Sequence, residues 1–574
     1  MEEVHKIDNF INDSIQLAVE KLSKSHTLKL IGNNECRVEV DIDVNDEVIE
    51  FNLIIKFIDF PLSIPKIFIA SQDLFKVHGI PHIDINGFIC TYDNANIQTN
   101  MLMPAEILDV CICKAKNIIK TGLESNNEQD YEKEFNAYWN DYGQSKIPVL
   151  STLDHSINNP KQIRLYVLDK KFNGYNFVLT AECSFSAQLI DKVKSSSNFK
   201  EYIAFYVGEI MGIGPLFVNK NYSTIDLIRK NNPKILPQLE VYINSTDHPI
   251  LIFCKKISNK NLYLGWQYLT LKKKNIFFPS KLSNYEILSI PFYLYKSQLN
   301  VTRLIPDVYT NERLISRSSD DQIITDLSIA MVGVGSIGSN LIPLLKNINI
   351  NKFRFVDTEN LEIENLGRHL LGINYRGENK AVAMKNYLEL KNPYYDIQVS
   401  TNSIVDIVST DIQFLAPCDY IFVCIGHTNI EYFIDMALKE GLIKRPIFFL
   451  WVEPYVAGGH CVYLTPNSLT NFKDLFKNSF FKNNIILEDD YRNKIFSKQE
   501  SGCQTSFLPY SGLNVMKFLC SLYPRICNII ENKISIGKSF TWIGDKKYLK
   551  LKDINISNFG NENESEDILE QDLK

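Results

Sequence analysis

The hexapeptide GVGSIG places Gly333, Gly335 and Gly338 at a G-x-G-x-x-G spacing. The first two glycines let a backbone turn tightly and approach phosphate, and the third lets a helix lie close to a strand. A helix starting there offers free backbone N–H groups and a field that favours anions. Asp357, 19 residues past Gly338, ends the next strand and can meet ribose hydroxyls. A nicotinamide enzyme would fit these features alone, and so would a buried turn without any ligand. The continuation argues for a triphosphate. Asn365, Arg368 and Lys380 follow in one loop-helix passage. A guanidinium grips phosphate oxygens bidentately, and an ammonium neutralises departing pyrophosphate. Solvated surface charge is the bland alternative for all three.

Two cysteines have polar, turn-rich settings. Cys90 follows the Asn-Gly pair of HIDINGFICTYD, and Cys503 sits in ESGCQTSFLPYSG beside Gly502, Gln504 and Thr505. A thiolate can accept an activated carbonyl, hold it as a thioester and yield it to an amine. Ordinary structural roles remain open for both thiols. Cys418, Cys424 and Cys520 sit in apolar runs and are expected in the core.

The elements that must position these groups are legible in outline. A chain of 574 residues exceeds one growing core, so several domains are expected. Apolar residues make up 45%, charged residues 22%, and the net charge is −6, which suits a globular protein and offers no support for nucleic-acid binding. No charged N-terminus leads into an apolar signal, and apolar runs are too short to cross a bilayer. A cytoplasmic location is expected, with the twelve cysteines as free thiols rather than a disulfide framework. Cys111 and Cys113 form one pair rather than a zinc ligand set, so no structural zinc is expected. The metal ligands are unassigned.

Residues 1–145 read as an α+β domain. It opens with an amphipathic helix, continues as alternating strands around an Asn-Asp turn, and ends in a helix opened by Pro104. Residues 146–310 read as a middle α+β module, with the stretch from Ser186 to Met211 helical in parts. From 311 to 560, strand-helix alternation predicts a mostly parallel, doubly wound sheet. Residues 561–574 read as a mobile acidic tail that could also serve as a contact arm.

The C-terminal pattern resembles the adenylating domain shared by ubiquitin-activating enzymes and the bacterial ThiF/MoeB group. In that family a glycine turn, an acid after the second strand, an Asn-x-x-Arg element and a helix-opening lysine recur. Gly333, Gly335, Gly338, Asp357, Asn365, Arg368 and Lys380 match those positions. The resemblance implies a Rossmann-like sheet, ATP and Mg2+, and acyl-adenylation of a protein C-terminal carboxylate. It also implies a homodimer, with Arg313 or Arg317 reaching the partner's site. The family's magnesium-linked aspartate is missing. Gly426, His427, Thr428 and Asn429 stand near its place, and Asp419 comes too early. Cys503 matches the family's acyl-accepting cysteine.

Residues 1–140 resemble a ubiquitin-conjugating domain. FPLSIPKIFI matches its proline passage and IPHIDINGFIC its active-site approach, with Gly87 and Cys90. His82 takes the position of that family's oxyanion asparagine, and the resemblance implies that it donates to the oxyanion or takes a proton from the incoming amine, with Asp93, three residues after Cys90, orienting that amine. An ordinary structural role remains open for His82. The whole order resembles the CBASS antiphage proteins of bacteria. That resemblance implies a cyclic-oligonucleotide synthase with a free C-terminus as the activated partner, joined to an amine on a target protein or small molecule. A free ubiquitin-like protein suits the same chemistry. A sulfur-carrier adenylyltransferase and a non-catalytic nucleotide-binding scaffold are the alternatives.

Overall fold

A computed structural model describes residues 2–32, 34–77, 79–84, 86–92, 97, 99–126, 130, 135, 139–140, 146–153, 157, 159–180, 198–213, 221–246, 249–257, 260–267, 301–309, 313–314, 327–346, 350–392, 395–477, 480–494, 496–499 and 506–573. These fall into two compact units, one ending at Val308 and the other starting at Tyr309. No helix among the described residues is long and apolar enough to cross a membrane.

The first unit begins with α1 (Glu2–Leu22), followed by β1 (Thr27–Gly32), β2 (Glu35–Val44), β3 (Glu47–Lys56), β4 (Lys66–Ile69) and β5 (Phe88–Ile89), antiparallel in that order. In β2, Cys36, Val38, Val40, Ile42 and Val44 alternate with exposed residues, so one face is core and the other water. Asn45 and Asp46 close the β2–β3 hairpin at φ 48° and 69°. Asn and Asp tolerate that left-handed conformation, which suits the twist of a two-residue turn. The buried face receives Ile15, Ala18, Val19 and Leu22 of α1. It also receives Leu108, Ile112, Ala115 and Ile119 of α2 (Pro104–Leu123), at the i, i+4 spacing of one helix face.

The middle strands are β6 (Lys146–Ser151), β7 (Lys161–Phe172), β8 (Tyr175–Thr180), β9 (Phe199–Glu209), β10 (Ile250–Ile257), β11 (Lys260–Gln267) and β12 (Thr302–Val308). They close into a barrel in the order β10-β11-β12-β6-β8-β7-β9. Helices α3 (Asn221–Asn231) and α4 (Leu236–Ser245) lie between β9 and β10 in sequence. Of the stretch from Ser186 to Met211 expected to be helical in parts, residues 186–197 lie outside the described residues, and Phe199–Glu209 is the strand β9, paired with both β7 and β10. Its Ala204–Val207 segment is buried on successive residues, as a strand covered on both faces requires.

The second unit is an eight-stranded sheet among the described residues, ordered β15-β14-β13-β16-β17-β18-β23-β24. Strands β13 (Ser328–Val332), β14 (Lys352–Val356), β15 (Asp396–Ser400), β16 (Tyr420–Val423) and β17 (Ile447–Val452) run parallel. They alternate with α5 (Ser336–Lys346), the short α6 (Ile363–Leu366), α7 (Lys380–Lys391), α8 (Ile404–Thr410) and α9 (Thr428–Lys439). Strand β18 (Gly458–Leu464) turns antiparallel. Short pieces follow: β19 (Phe476–Lys477), β20 (Phe480–Phe481), α10 (Glu488–Asn493), β21 (Lys498–Gln499) and β22 (Ser506–Phe507). Then α11 (Gly512–Glu531), β23 (Gly537–Ile543) and β24 (Ile568–Leu573) complete the unit. This is a mixed α/β architecture with a Rossmann-type sheet. Its strand order reverses between β14-β13 and β16-β17, and ligands of such sheets bind at the carboxyl ends of strands there.

Two further expectations are corrected. The acidic tail is no mobile extension. Residues Ile568–Leu573 pair with β23, Ile568 and Leu573 are buried, and Lys538 pairs with Glu570 at 2.5 Å and Asp572 at 2.6 Å. Edge pairing and a local cation hold what composition alone would leave in water. Cys520 is exposed, whereas Cys418 and Cys424 are buried. The buried stripe of α11 runs through Val515, Phe518, Leu519 and Leu522, and position 520 falls off that stripe.

Candidate functional site

The turn from β13 into α5 needs its glycines for different reasons. Gly333 sits at φ +88°, and a Cβ there would lie 2.8 Å from the Cys424 carbonyl oxygen of the neighbouring strand end. At Gly338 a Cβ would be 2.1 Å from the Gly333 oxygen, so only glycine lets α5 close on the turn. At Gly335 nothing stands within 4 Å of a Cβ. That position opens onto the cavities instead of packing.

Asp357 braces this turn from the end of β14. Its Oδ2 accepts the Val334 N–H at 2.7 Å, and its Oδ1 accepts the Glu359 N–H at 2.9 Å. Burial pushes its carboxyl above the ordinary carboxylate range, opposed by those two hydrogen bonds. It also lines a smaller cavity of about 180 Å³, with Ile404, Val405, Ile425 and Ile430 as its apolar side.

A larger cavity of about 420 Å³ adjoins it, and the two share Gly335, Glu359, Lys380, Cys424 and Ile425 as walls. Asn365, Arg368 and Lys380 line the larger one. Lys380 opens α7 above the Asn379 cap, whose side chain accepts the N–H groups of Ala381 and Val382. Its ammonium lies 2.5 Å from the Glu359 carboxylate. The Asn365 side-chain oxygen accepts the Glu362 N–H at 3.0 Å within a reciprocal cap on α6. Arg368 holds its guanidinium 4.9 Å from the Tyr510 ring, a favourable cation–π geometry.

The backbone of Arg368 is pinned to α5. Its carbonyl accepts from Ser336 Oγ at 3.2 Å and Asn340 Nδ2 at 3.0 Å. Next to it, His369 is buried. Its Nδ1 accepts the Leu371 N–H at 3.1 Å, so Nε2 carries the proton and donates to the Val334 carbonyl at 2.7 Å. Burial pushes its pKa down, which keeps the ring neutral. His369 thus ties the arginine loop to the glycine turn, a job invisible in a lone histidine beside an arginine.

Sequence reasoning also missed Glu431. The expected acid at the end of β16 is absent from the strand itself, and Glu431 arrives instead from the first turn of α9. It is 2% exposed, accepts the Gly426 N–H at 3.2 Å and lines the larger cavity. Burial pushes its pKa up to about 7. The signal was present as the buried-face spacing of Glu431, Ile434, Asp435 and Leu438. His427 is exposed at the cap of α9. Asp419 accepts the Ser328 N–H at 2.9 Å and ties β16 to β13.

The larger cavity is also lined by an aromatic set, Trp451, Phe476, Phe480, Phe481 and Tyr491. A buried pair supports it from behind. His460 Nε2 lies 2.8 Å from Glu453 Oε1, and the same carboxylate accepts the Ile485 and Ile486 N–H groups at 2.7 and 2.9 Å. Arg313 is exposed. Arg317 and Cys503, with Gly502, Gln504 and Thr505, lie outside the described residues. The strands flanking the Cys503 segment, β21 and β22, pair with each other.

In the first unit, Asp84 organises the loop before Cys90. Its Oδ1 accepts the N–H groups of Asn86 and Phe88 at 2.8 and 2.7 Å. Gly87 at φ +80° leaves no room for a Cβ beside Leu74 and the Ile69 carbonyl. Cys90 is exposed, and its N–H donates to the His82 carbonyl at 2.8 Å. His82 itself sits at φ 66°. Its Nε2 lies 3.5 Å from Asp130 Oδ2, a partner the sequence did not suggest. Asp93 lies outside the described residues.

Two family models match separate parts of the chain. Residues 310–505 match the ThiF family, and residues 20–148 match Prokaryotic E2 family B. The chain therefore joins an E2-like domain to a ThiF-like domain. Among curated proteins, ubiquitin-like modifier-activating enzyme 5 of Caenorhabditis briggsae is 26% identical over 27% of this chain and 37% of its own length. The Drosophila simulans protein of the same name is 24% identical over 27% of this chain and 40% of its own. The chain thus spans well under half of these relatives. Among solved structures, E. coli MccB with ATP aligns at TM-score 0.30 and 13% identity, covering 51% of this chain and 72% of that one. PaaA aligns at TM-score 0.30 and 14% identity, covering 53% and 78%.

Proposed function

We propose that this protein activates a polypeptide C-terminal carboxylate with ATP and passes the acyl group through cysteine thioesters to an amine. One observation carries the reading. Two adjoining cavities at the sheet's switch point meet at Gly335 and Lys380, and only the larger reaches Arg368. The smaller suits a nucleoside, with Asp357 at its rim. The shared wall suits the triphosphate, and the larger cavity admits the carboxylate. The carboxylate oxygen bonds to the α-phosphorus as the bond to the bridging oxygen breaks, and pyrophosphate leaves with the electron pair. Lys380 and Arg368 stabilise the charge that develops on it.

Magnesium would offset further charge on those phosphates when bound. No group of three or more His, Cys, Asp or Glu among the described residues could hold an ion alone. The residues fit an ion held mainly by phosphate oxygens and water, with Glu431 as the protein carboxylate, a common arrangement for magnesium.

The acyl-adenylate then meets the Cys503 thiolate, a C–S bond forms and AMP departs. Cys90 accepts the acyl group by exchange, and an amine attacks to give an amide and the free thiol. His82, paired with Asp130, takes the amine's proton. The barrel module recognises the activated protein or spaces the two catalytic domains. On this reading the working form is a homodimer, to which Arg313 or Arg317 contributes across the interface. The activated protein is a cyclic-oligonucleotide synthase, consistent with a role in antiphage defence.

The test incubates the full chain with MgATP, labelled pyrophosphate and a cyclic-oligonucleotide synthase carrying a free C-terminus. Label should enter ATP, and non-reducing gels should show thiol-sensitive adducts, of which the one on Cys90 is lost on Cys90→Ala while the one on Cys503 remains. Label entry with only a ubiquitin-like protein would move the reading to that partner. ATP binding with no exchange for either would leave a nucleotide-binding scaffold.

A further inference from the structure

We infer that the carboxylate activated here belongs to a polypeptide ending in a bulky apolar residue rather than in glycines. This rests on the adenylation reading. The larger cavity is lined by two chemically distinct sets of side chains, which meet where Arg368 packs on the Tyr510 ring. Asn365, Arg368 and Lys380 make one set polar and cationic, and Trp451, Phe476, Phe480 and Tyr491 make the other aromatic. Phosphates are confined to the cationic set, which adjoins the glycine turn. The nucleoside is drawn to the smaller cavity, where Asp357 and the aliphatic side chains stand. Neither covers the aromatic set.

That set is only partly withdrawn from water. Tyr491 is 41% exposed, and Leu508, which lines the same cavity, is 43% exposed. The aromatic side chains of this wall pack on one another. Trp451 packs against Phe481 at 5.0 Å and Phe476 at 5.9 Å, and Phe480 packs against Tyr491 at 5.8 Å. The Glu453–His460 pair holds the chain behind it. Preformed apolar surface of this kind favours a ligand that covers it. Two terminal glycines have no side chains to do so, whereas Leu or Phe beside the carboxylate does.

The test is ATP–pyrophosphate exchange by the full chain with short synthetic peptides of common body, ending in Phe, Leu, Ala or Gly-Gly, with their amides as blanks. Pockets of this kind discriminate about 10- to 200-fold between side chains. Phe- and Leu-ended peptides should exceed the Gly-Gly peptide in kcat/KM by that order. Leu508→Ser and Tyr491→Ser, at partly exposed positions that tolerate polarity, should lose most of the discrimination. A Gly-Gly peptide equal to or better than the others would overturn the inference while leaving adenylation intact. So would variants that raise KM for ATP and preserve the discrimination, since the aromatic wall would then hold adenine. Exchange with no acid-ended peptide, despite calorimetric ATP binding, would instead sink the adenylation reading and this inference with it.

Discussion

The Lys380 ammonium lies 2.5 Å from a carboxylate oxygen of Glu359, yet the lysine side chain is 6% exposed and the glutamate 72%. A buried cation is thus balanced by a counterion standing in water. Such a counterion can be exchanged for a polyphosphate without leaving the lysine unpaired, and losing the cation leaves the transition-state charge uncovered. Lys380→Gln is expected to lower ATP–pyrophosphate exchange about 10²- to 10³-fold, while Glu359→Gln retains most of it. Equal losses in the two variants would contradict the exchange of partners.

Gly335 and Gly338 separate binding from folding. Alanine at 338 forces a Cβ against the Gly333 carbonyl, and overpacking of this kind costs about 1–3 kcal/mol. Gly338→Ala should therefore lower the denaturation midpoint. Gly335→Ala meets open space and should leave the midpoint in place while weakening ATP binding in calorimetry. A midpoint shift at 335 larger than at 338 would refute this assignment.

Glu431 links stability to pH. Its folded pKa of about 7 exceeds the ordinary 4.5. The folded state therefore holds this proton more tightly than the unfolded chain. The resulting stabilisation is complete below about pH 4.5 and is lost as pH rises through about 7, an effect of roughly 3 kcal/mol. Glu431→Gln should flatten the dependence and be the more stable protein at pH 8. The same variant should need more magnesium for exchange. Parallel pH profiles for parent and variant would count against both roles.

The Glu453 carboxylate takes three donors, from His460, Ile485 and Ile486. Glutamine supplies an amide that cannot accept at every one of those contacts. Breaking a buried set of this kind typically costs about 3–5 kcal/mol. Glu453→Gln should unfold the second unit at lower urea and raise KM for the peptide substrate, because residues 480–491 would no longer be fixed. Unchanged urea unfolding would show that the contacts are readily replaced.

At the thioester end, the order of loss is informative. Cys90→Ala should abolish the Cys90 adduct and the amide while the Cys503 adduct persists. His82→Gln should keep the Cys90 adduct and slow amide formation about 10²- to 10⁴-fold, the usual range for losing a general base. Asp130→Asn should fall between parent and His82→Gln and shift the pH profile of amide formation. Loss of the adduct itself in His82→Gln would point to a structural task for this residue.

Local physics made much of this protein readable from its sequence. The period-2 run of β2, the Asn45–Asp46 turn and the need for glycine at 338 each depend on neighbours a few residues away, whereas Gly333 also makes room for the distant Cys424 carbonyl. The strand-helix alternation after 327 is local too, and each element folded as its own residues dictate. Long-range pairing decided the rest. Residues 199–209 became a strand because β7 and β10 flank them. The tail became β24 because β23 offered an edge and Lys538 a counter-charge. Closure of the barrel depends on parallel partners distant in sequence, such as β6 with β12. Glu431, His369 and Glu453 acquired their tasks only when folding removed them from water and surrounded them with particular donors and acceptors. A residue's type travels with the chain, but its solvation and its partners belong to the packed structure, and these set charge, tautomer and reach.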